Sequence, residues 1–351
     1  MRAKHWVGLD VGESCTRVCV LRKRGPAVLE CSTGSSAEDI ARGLSMFEIA
    51  DIDSIVMESG APGEIERQLK KMGYPVVVLD VRKTHRYLSI RHNKTDENDA
   101  RGLAEIARLG ELSRLSVYSK SYDSEVLRNQ LCVRKRLVDT RAEIQTSLRS
   151  LLRNHGSQLR RVPHGKAMRP AIEAEFARLQ STGASQIVSQ LLPLVDVWET
   201  LSGHIKRIDD ELACIARLNP VVQRFIQIPG VGPMCAISFY ATIDDPHRFA
   251  RTADVGAYLG MVPRVQQSGA SLHRTRVTRA GDAMARGYLV LAAGVALTRA
   301  KQSSALREWG LDLRKKVGFS KARMAVARKL AVTMLSMWKA DKDFVPYPQR
   351  A

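Results

Sequence analysis

The sequence has 351 residues, with 55 Lys+Arg against 36 Asp+Glu and a formal net charge of +19; that excess points to a polyanionic partner. Hydrophobic residues at 44% and charged residues at 26% exclude a disordered basic tail and leave enough apolar side chain for two or three folded domains. Aromatics at 5% offer few stacking platforms for single strands, so backbone electrostatics should dominate binding. The nearly apolar stretch 288–297 contains Gly294 and is too short to span a membrane, and no secretory segment precedes Asp10. The expectation is a cytoplasmic protein with no membrane partner. Six cysteines without a C-x-x-C pair or histidines at zinc spacing predict reduced, mostly buried thiols and no zinc site.

In chain order, residues 5–10, 16–22 and 27–31 read as strands separated by Gly12-Glu13-Ser14 and Arg24-Gly25-Pro26 turns. Residues 37–50 and 63–72 have helical spacing, whereas 54–57 and 75–79 are short apolar strands, the first ending at Glu58. This alternation after an antiparallel start predicts an α/β layer fold. A polar run at 93–99 opens a helix through Leu109, with Thr95 or Asp96 as its N-cap. From residue 121 the chain turns helical, and Leu191, Leu194, Trp198, Leu201, Ile205, Ile208, Leu212 and Ile215 form a heptad seam. The expectation is a coiled-coil arm pairing between subunits, in preference to a bundle within one chain. Residues 225–300 read as mostly short helices and 305–340 as helical with basic residues throughout. The predicted organisation is thus α/β plus α, with domains at 1–120, 121–220 and 221–351.

Four carboxylates stand out. Asp10 ends the first apolar strand, Glu58 ends another, and Asp96 and Asp99 lie three apart at a helix start, on one helical face. Carboxylates at strand ends face the crevice above an α/β sheet, and acids in so basic a chain suit Mg2+, one or two ions per site, clamping a phosphodiester. Each position alone also fits a turn, an N-cap or a surface acid. Basic residues gather in 133–161, with eight Lys/Arg and two acids including Arg134, Lys135 and Arg136, and in 311–331, with seven Lys/Arg and one acid. Both runs fit a nucleic-acid surface, and each alone fits a solvated helix face.

Ile228-Pro229-Gly230-Val231-Gly232-Pro233 is similar to the hairpin of helix-hairpin-helix units, whose glycines bring backbone N–H groups to phosphate. Downstream, Arg264, Arg274, Arg276, Arg279 and Arg286 surround Ser268 and a single acid, Asp282, in a composition suited to phosphate. Ser268 reads either as a nucleophile or as a turn serine, with Ser271 a nearby competitor.

Together, Gly8-Leu9-Asp10-Val11-Gly12, Glu58, Lys94-Thr95-Asp96 with Asp99-Ala100, Ile228-Pro229-Gly230-Val231-Gly232, Leu259-Gly260 with Pro263, Gln267-Ser268-Gly269, and Gly281-Asp282 before Arg286 resemble the DEDD transposases of the insertion-sequence 110 group, which are bridge-RNA-guided serine recombinases. The resemblance covers nearly the whole chain. It implies a RuvC-like (RNase H-like) N-terminal domain in which Asp10, Glu58, Asp96 and Asp99 bind metal. It further implies long coiled-coil helices and a small, mostly α-helical C-terminal transposase domain whose Ser268 forms a phosphoserine link to DNA. The implied partners are donor and target DNA, a structured guide RNA, and further copies of the chain, a dimer assembling to a tetramer at the prokaryotic nucleoid. Arg279-Ala280 stands where many relatives carry a lysine before the Gly-Asp pair. Two other readings remain open on the residues: a RuvC-like junction resolvase that hydrolyses DNA with water, and a non-enzymatic nucleic-acid-binding protein.

Overall fold

The computed structural model describes residues 4–89, 95–157, 167–268 and 271–348, with the side chains of 265–275 outside that description. Lys94 and Gly269 of the sequence motifs therefore lie outside the described residues, as do the side chains of Ser268, Ser271 and Arg274. The chain divides into two compact units, Met1–Ser119 and Lys120–Ala351.

The first unit is a mixed five-stranded sheet of order β3-β2-β1-β4-β5, built from β1 (His5–Val11), β2 (Thr16–Arg22), β3 (Ala27–Thr33), β4 (Ile52–Glu58) and β5 (Val76–Leu79). β1 pairs antiparallel with β2 and parallel with β4, which pairs parallel with β5. Alternation sorts the side chains by face. Val7 and Leu9 of β1 and Ile55 and Met57 of β4 are buried with Ile40 of α1 (Ala37–Gly43) and Leu69 of α2 (Gly63–Lys71). Val56 takes the opposite face with Leu103, Ile106 and Ala107 of α4 (Asp96–Arg108), beside α3 (Val81–Leu88) and α5 (Leu112–Leu115). This helix–sheet–helix arrangement is consistent with a RuvC-like DEDD domain. The helix expected over 37–50 stops at Gly43, and only a 3-10 turn, Ile49–Asp51, follows. α3 lies in a segment left without an element in the sequence.

The second unit is mostly helical. α6 (Tyr122–Asn154) and α8 (Ser185–Leu218) run antiparallel: Gln130 reaches Glu211, Arg134 pairs with Asp209 and Arg141 donates to Ser202. α7 (Met168–Ser181) completes a tip in which Leu148, Leu152, Phe176, Leu191 and Trp198 are buried together. The seam residues Leu191, Trp198, Ile205 and Leu212 are all buried by this chain's own helices. Within the chain, the apolar stripe of α6, Leu131, Leu148 and Leu152, packs against these residues, while Leu194, Leu201, Ile208 and Ile215 of the same seam remain partly exposed. At the base, Leu131 and Leu212 join one core with Phe225 of α9 (Pro220–Ile226), Phe239 of α10 (Pro233–Ile243), Leu259 after α11 (Val255–Tyr258), Leu289 of α12 (Ala283–Thr298) and Leu330 of α14 (Phe319–Ala340), with α13 (Ala305–Val317) beside it. Residues 225–300 are mainly short helices, as expected, with one departure. They include an antiparallel hairpin, β6 (Pro263–Ser268) and β7 (Ser271–Val277).

No helix among the described residues is long and apolar enough to cross a membrane. All six cysteines are free, but only Cys19 and Cys235 are buried, while Cys15, Cys132 and Cys214 are exposed, so the thiols are not mostly buried as expected. Cys132 and Cys214 lie on the solvent side of amphipathic helices, where a small residue is tolerated.

Candidate functional site

The carboxylate edge is built by the closeness of α4 to β1. Gly8 permits it: a Cβ at this position would lie 2.0 Å from the Ala100 carbonyl oxygen and 2.5 Å from the Ala104 nitrogen. From that contact α4 runs toward the far end of the sheet, where Leu103, Ile106 and Ala107 cluster with Trp6. It is therefore antiparallel to β1. Asp96 lies one turn before Ala100, about 6 Å along the helix, and Asp10 lies two residues beyond Gly8, about 7 Å along the strand. Both steps lead to the same end of the sheet, and residue parity puts Asp10 on the face of Gly8.

Glu58 joins them there. The parallel register pairs Leu9 with Met57, so Asp10 and Glu58 are the next residues on neighbouring strands, and Glu58 shares the face of Val56. Thr95 is the N-cap of α4, its hydroxyl accepting from the Asn98 N–H at 3.2 Å, which leaves Asp96, Glu97 and Asp99 as first-turn acids. Acids there are favoured by the helix dipole. Arg17 pairs with Glu97 at 3.7 Å, and Arg101 makes two 2.7 Å hydrogen bonds to Glu30, tying α4 to β2 and β3. Asp10, Glu58 and Asp99 are partly buried and Asp96 is exposed. Among the described residues no three acidic, histidine or cysteine side chains are grouped closely enough to hold a metal ion. The donor chemistry, carboxylate oxygens only, is of the kind a hard divalent cation takes.

In the second unit the motif glycines interlock two turns. A Cβ on Gly260 would lie 2.0 Å from the Ala280 carbonyl oxygen, and one on Gly281 would lie 2.0 Å from that of Tyr258. Arg286 donates to the Leu259 carbonyl at 3.0 Å and the Ala280 carbonyl at 3.3 Å, so it clamps this junction; burial first, then Arg279, holds its guanidinium below the usual arginine range. Asp282 caps α12, accepting from the Ala285 N–H at 2.9 Å, and pairs with Arg128. The Gly-Asp motif is thus a packing and capping device. Likewise, a Cβ on Gly230 would meet the Ala292 carbonyl oxygen at 2.6 Å, so that face of the turn is filled by α12. Gly232 has open space around it at the start of α10.

Arg264, Arg276 and Arg279 are exposed, as are Lys135 and Arg136, whereas Arg134 is half-buried in its bridge to Asp209 and Lys135 pairs with Asp139. Ser268 ends β6, its backbone registered with that of Ser271. Lys120 was not singled out from the sequence, where nothing marks it. Its ammonium is largely buried, and that burial, followed by the charges of Arg128 and Arg248, pushes its pKa down to about 8.

Comparison with known proteins agrees at both ends of the chain. A family model for DEDD transposases of the IS110 type, described as "Transposase", matches residues 7–156, and a second, described as "Transposase IS116/IS110/IS902 family", matches residues 222–308. The chain is 26% identical over 329 residues to the transposase for insertion sequence element IS1111A of Coxiella burnetii, covering 93% of this chain and 87% of that one. It is 24% identical over 282 residues to a probable family 20 transposase of Pseudomonas aeruginosa, covering 80% and 82%. It is also 26% identical over 311 residues to the transposase for insertion sequence element IS1328 of Yersinia enterocolitica, covering 86% and 87%. With its mixed sheet, its α4 acids and matches in both units, the chain belongs to the IS110 family of DEDD transposases.

Proposed function

We propose that this transposase excises and inserts its element by transesterification, with Ser268 as nucleophile and Asp10, Glu58, Asp96 and Asp99 as the acidic edge at which the scissile phosphate is held. The observation that carries the proposal is the placement of Asp10 and Glu58 side by side at adjacent strand ends, on the face that α4 covers. A divalent cation such as Mg2+ bound by these four residues would neutralise charge on the phosphate and on the departing oxygen. The Ser268 Oγ forms a bond to phosphorus as the P–O3′ bond breaks, and the serine proton ends on the freed 3′ hydroxyl. Attack by a 3′ hydroxyl from another strand reverses the exchange, so phosphodiester energy is conserved and no nucleotide cofactor is consumed.

Exposed Arg264, Arg276 and Arg279 with Arg274 and the basic face of α6, Lys135 and Arg136, hold the DNA backbone. A phosphate surface of this kind carries no sequence information, and choice of donor and target DNA falls to base pairing with a structured guide RNA. Exchange between two DNA ends requires more than one serine, hence a homo-oligomer, dimer or tetramer, joined through the helical arm and working at the nucleoid. The test is excision of a marked element in cells, read by amplification of the rejoined junction. Wild type with its flanking RNA-coding region should give the junction, whereas Asp10→Asn and Ser268→Ala should not. A junction formed equally well by Asp10→Asn would overturn the assignment of the acidic edge.

A further inference from the structure

The second unit contains a cavity of about 880 Å³, within the range of small-ligand sites, at the base of the β6–β7 hairpin. Its floor is apolar, formed by Met261, Val277, Met324 and Val332, and Trp309 stands at its rim, 37% exposed. Five cations line it, Arg276, Arg279, Lys321, Arg328 and Lys329, with no acid in the lining. Among the described residues none of the five is in an ion pair; Lys329 instead sits 4.4 Å from the centre of the Trp309 ring. Arg279 reaches the cavity from a left-handed backbone, φ 54°, held by its N–H bond to the Gly260 carbonyl at 3.0 Å. Strain of that kind in a non-glycine residue persists only where the surroundings enforce it.

An apolar floor, one accessible indole and five uncompensated cations form a complement to a flat ring joined to an anion. We propose that this cavity binds one unstacked nucleotide of a nucleic-acid strand, its base against Trp309 and the Met324–Val332 floor and its phosphate among Arg276, Arg279, Lys321 and Arg328. The inference rests on the nucleic-acid reading above and adds a site that reads strand structure. From Pro263 at the cavity, β6 extends five residues to Ser268, about 17 Å. A nucleotide seated here would hold its strand at a fixed distance from the serine.

Binding of labelled 20-mers to the full chain separates the outcomes: single-stranded DNA, single-stranded RNA of the same sequence, and blunt duplex DNA, each across a salt series. Trp309→Ala should weaken single-strand binding roughly tenfold and leave duplex binding and the salt slope unchanged, while Trp309→Phe, which keeps a stacking face, should retain most affinity. Lys321→Ala should weaken binding and reduce the salt slope by about one. The tighter of the two single strands identifies the source of the nucleotide. Duplex binding by wild type with single-strand binding indifferent to Trp309→Ala would overturn the cavity proposal alone. Failure of wild type to bind any of the three would overturn the nucleic-acid reading and the cavity with it.

Discussion

Gly8 and Ala100 are in backbone contact across the sheet–helix interface, so close that any side chain at position 8 would meet the Ala100 carbonyl oxygen at 2.0 Å. This contact sets where α4 begins relative to the end of β1, and hence where Asp96 and Asp99 stand relative to Asp10. Gly8→Ala should therefore cost about 1–3 kcal/mol of stability, the usual penalty for overpacking. It should also reduce strand cleavage more than the lost folded fraction explains. Urea unfolding monitored beside cleavage checks both; an unchanged unfolding midpoint would contradict the contact.

The sheet, α4 and its acids were legible in the sequence because buried parallel strands are short apolar runs and the first-turn acids follow a capping threonine. The β6–β7 hairpin was missed because both strands are polar, Gln266, Gln267, His273, Arg274 and Arg276 leaving no apolar face to mark a period of two; the spacer with Gly269 was the only local signal. The heptad seam was legible as a seam, but its partner was not, since spacing reports an apolar stripe without saying which helix covers it. Gly230 and Gly281 were visible as motif residues. That they pack against α12 and the Tyr258 turn depends on tertiary approach, which no local pattern encodes.

Lys120 gives a pH signature. Its pKa lies at about 8 in the folded chain against 10.5 for an unperturbed lysine, so the unfolded state binds the proton more tightly. Below pH 8 the lysine is charged in both states and its burial is fully destabilising; the handicap fades as pH rises from 8 to 10.5. Lys120→Met should raise the melting temperature at pH 7, with the gain shrinking toward pH 10.5. An equal gain at both pH values would contradict the shift.

Thiol reactivity should divide the cysteines. Burial pushes Cys235 up to about 12, and burial followed by the charge of Glu30 does the same for Cys19, so neither forms much thiolate at pH 8. Cys15, Cys132 and Cys214 are exposed and should react with an aromatic disulfide reagent in the native protein, the other two only after denaturation. Rapid labelling of Cys235 in the native chain would contradict the packing of α10.

The Arg134–Asp209 pair bridges α6 and α8 with Arg134 half-buried. Asp209→Ala, by leaving that guanidinium without its carboxylate, should lower stability by about 1–3 kcal/mol while changing the salt dependence of DNA binding little. Arg136→Ala, on the exposed face, should do the reverse, lowering the salt slope with stability unchanged. Interchanged effects would move the DNA surface off this face of α6.

The central claim is that a serine joins the chain to DNA with the help of the acidic edge, and a denaturing gel tests it most directly. Purified protein, its co-purified RNA, Mg2+ and end-labelled DNA spanning its own junction should give a covalent protein–DNA band that is absent with Ser268→Ala and with Asp10→Ala. Cleaved DNA without that band, persisting with Ser268→Ala and lost only with Asp10→Ala, would contradict the serine mechanism and make the enzyme a hydrolytic nuclease.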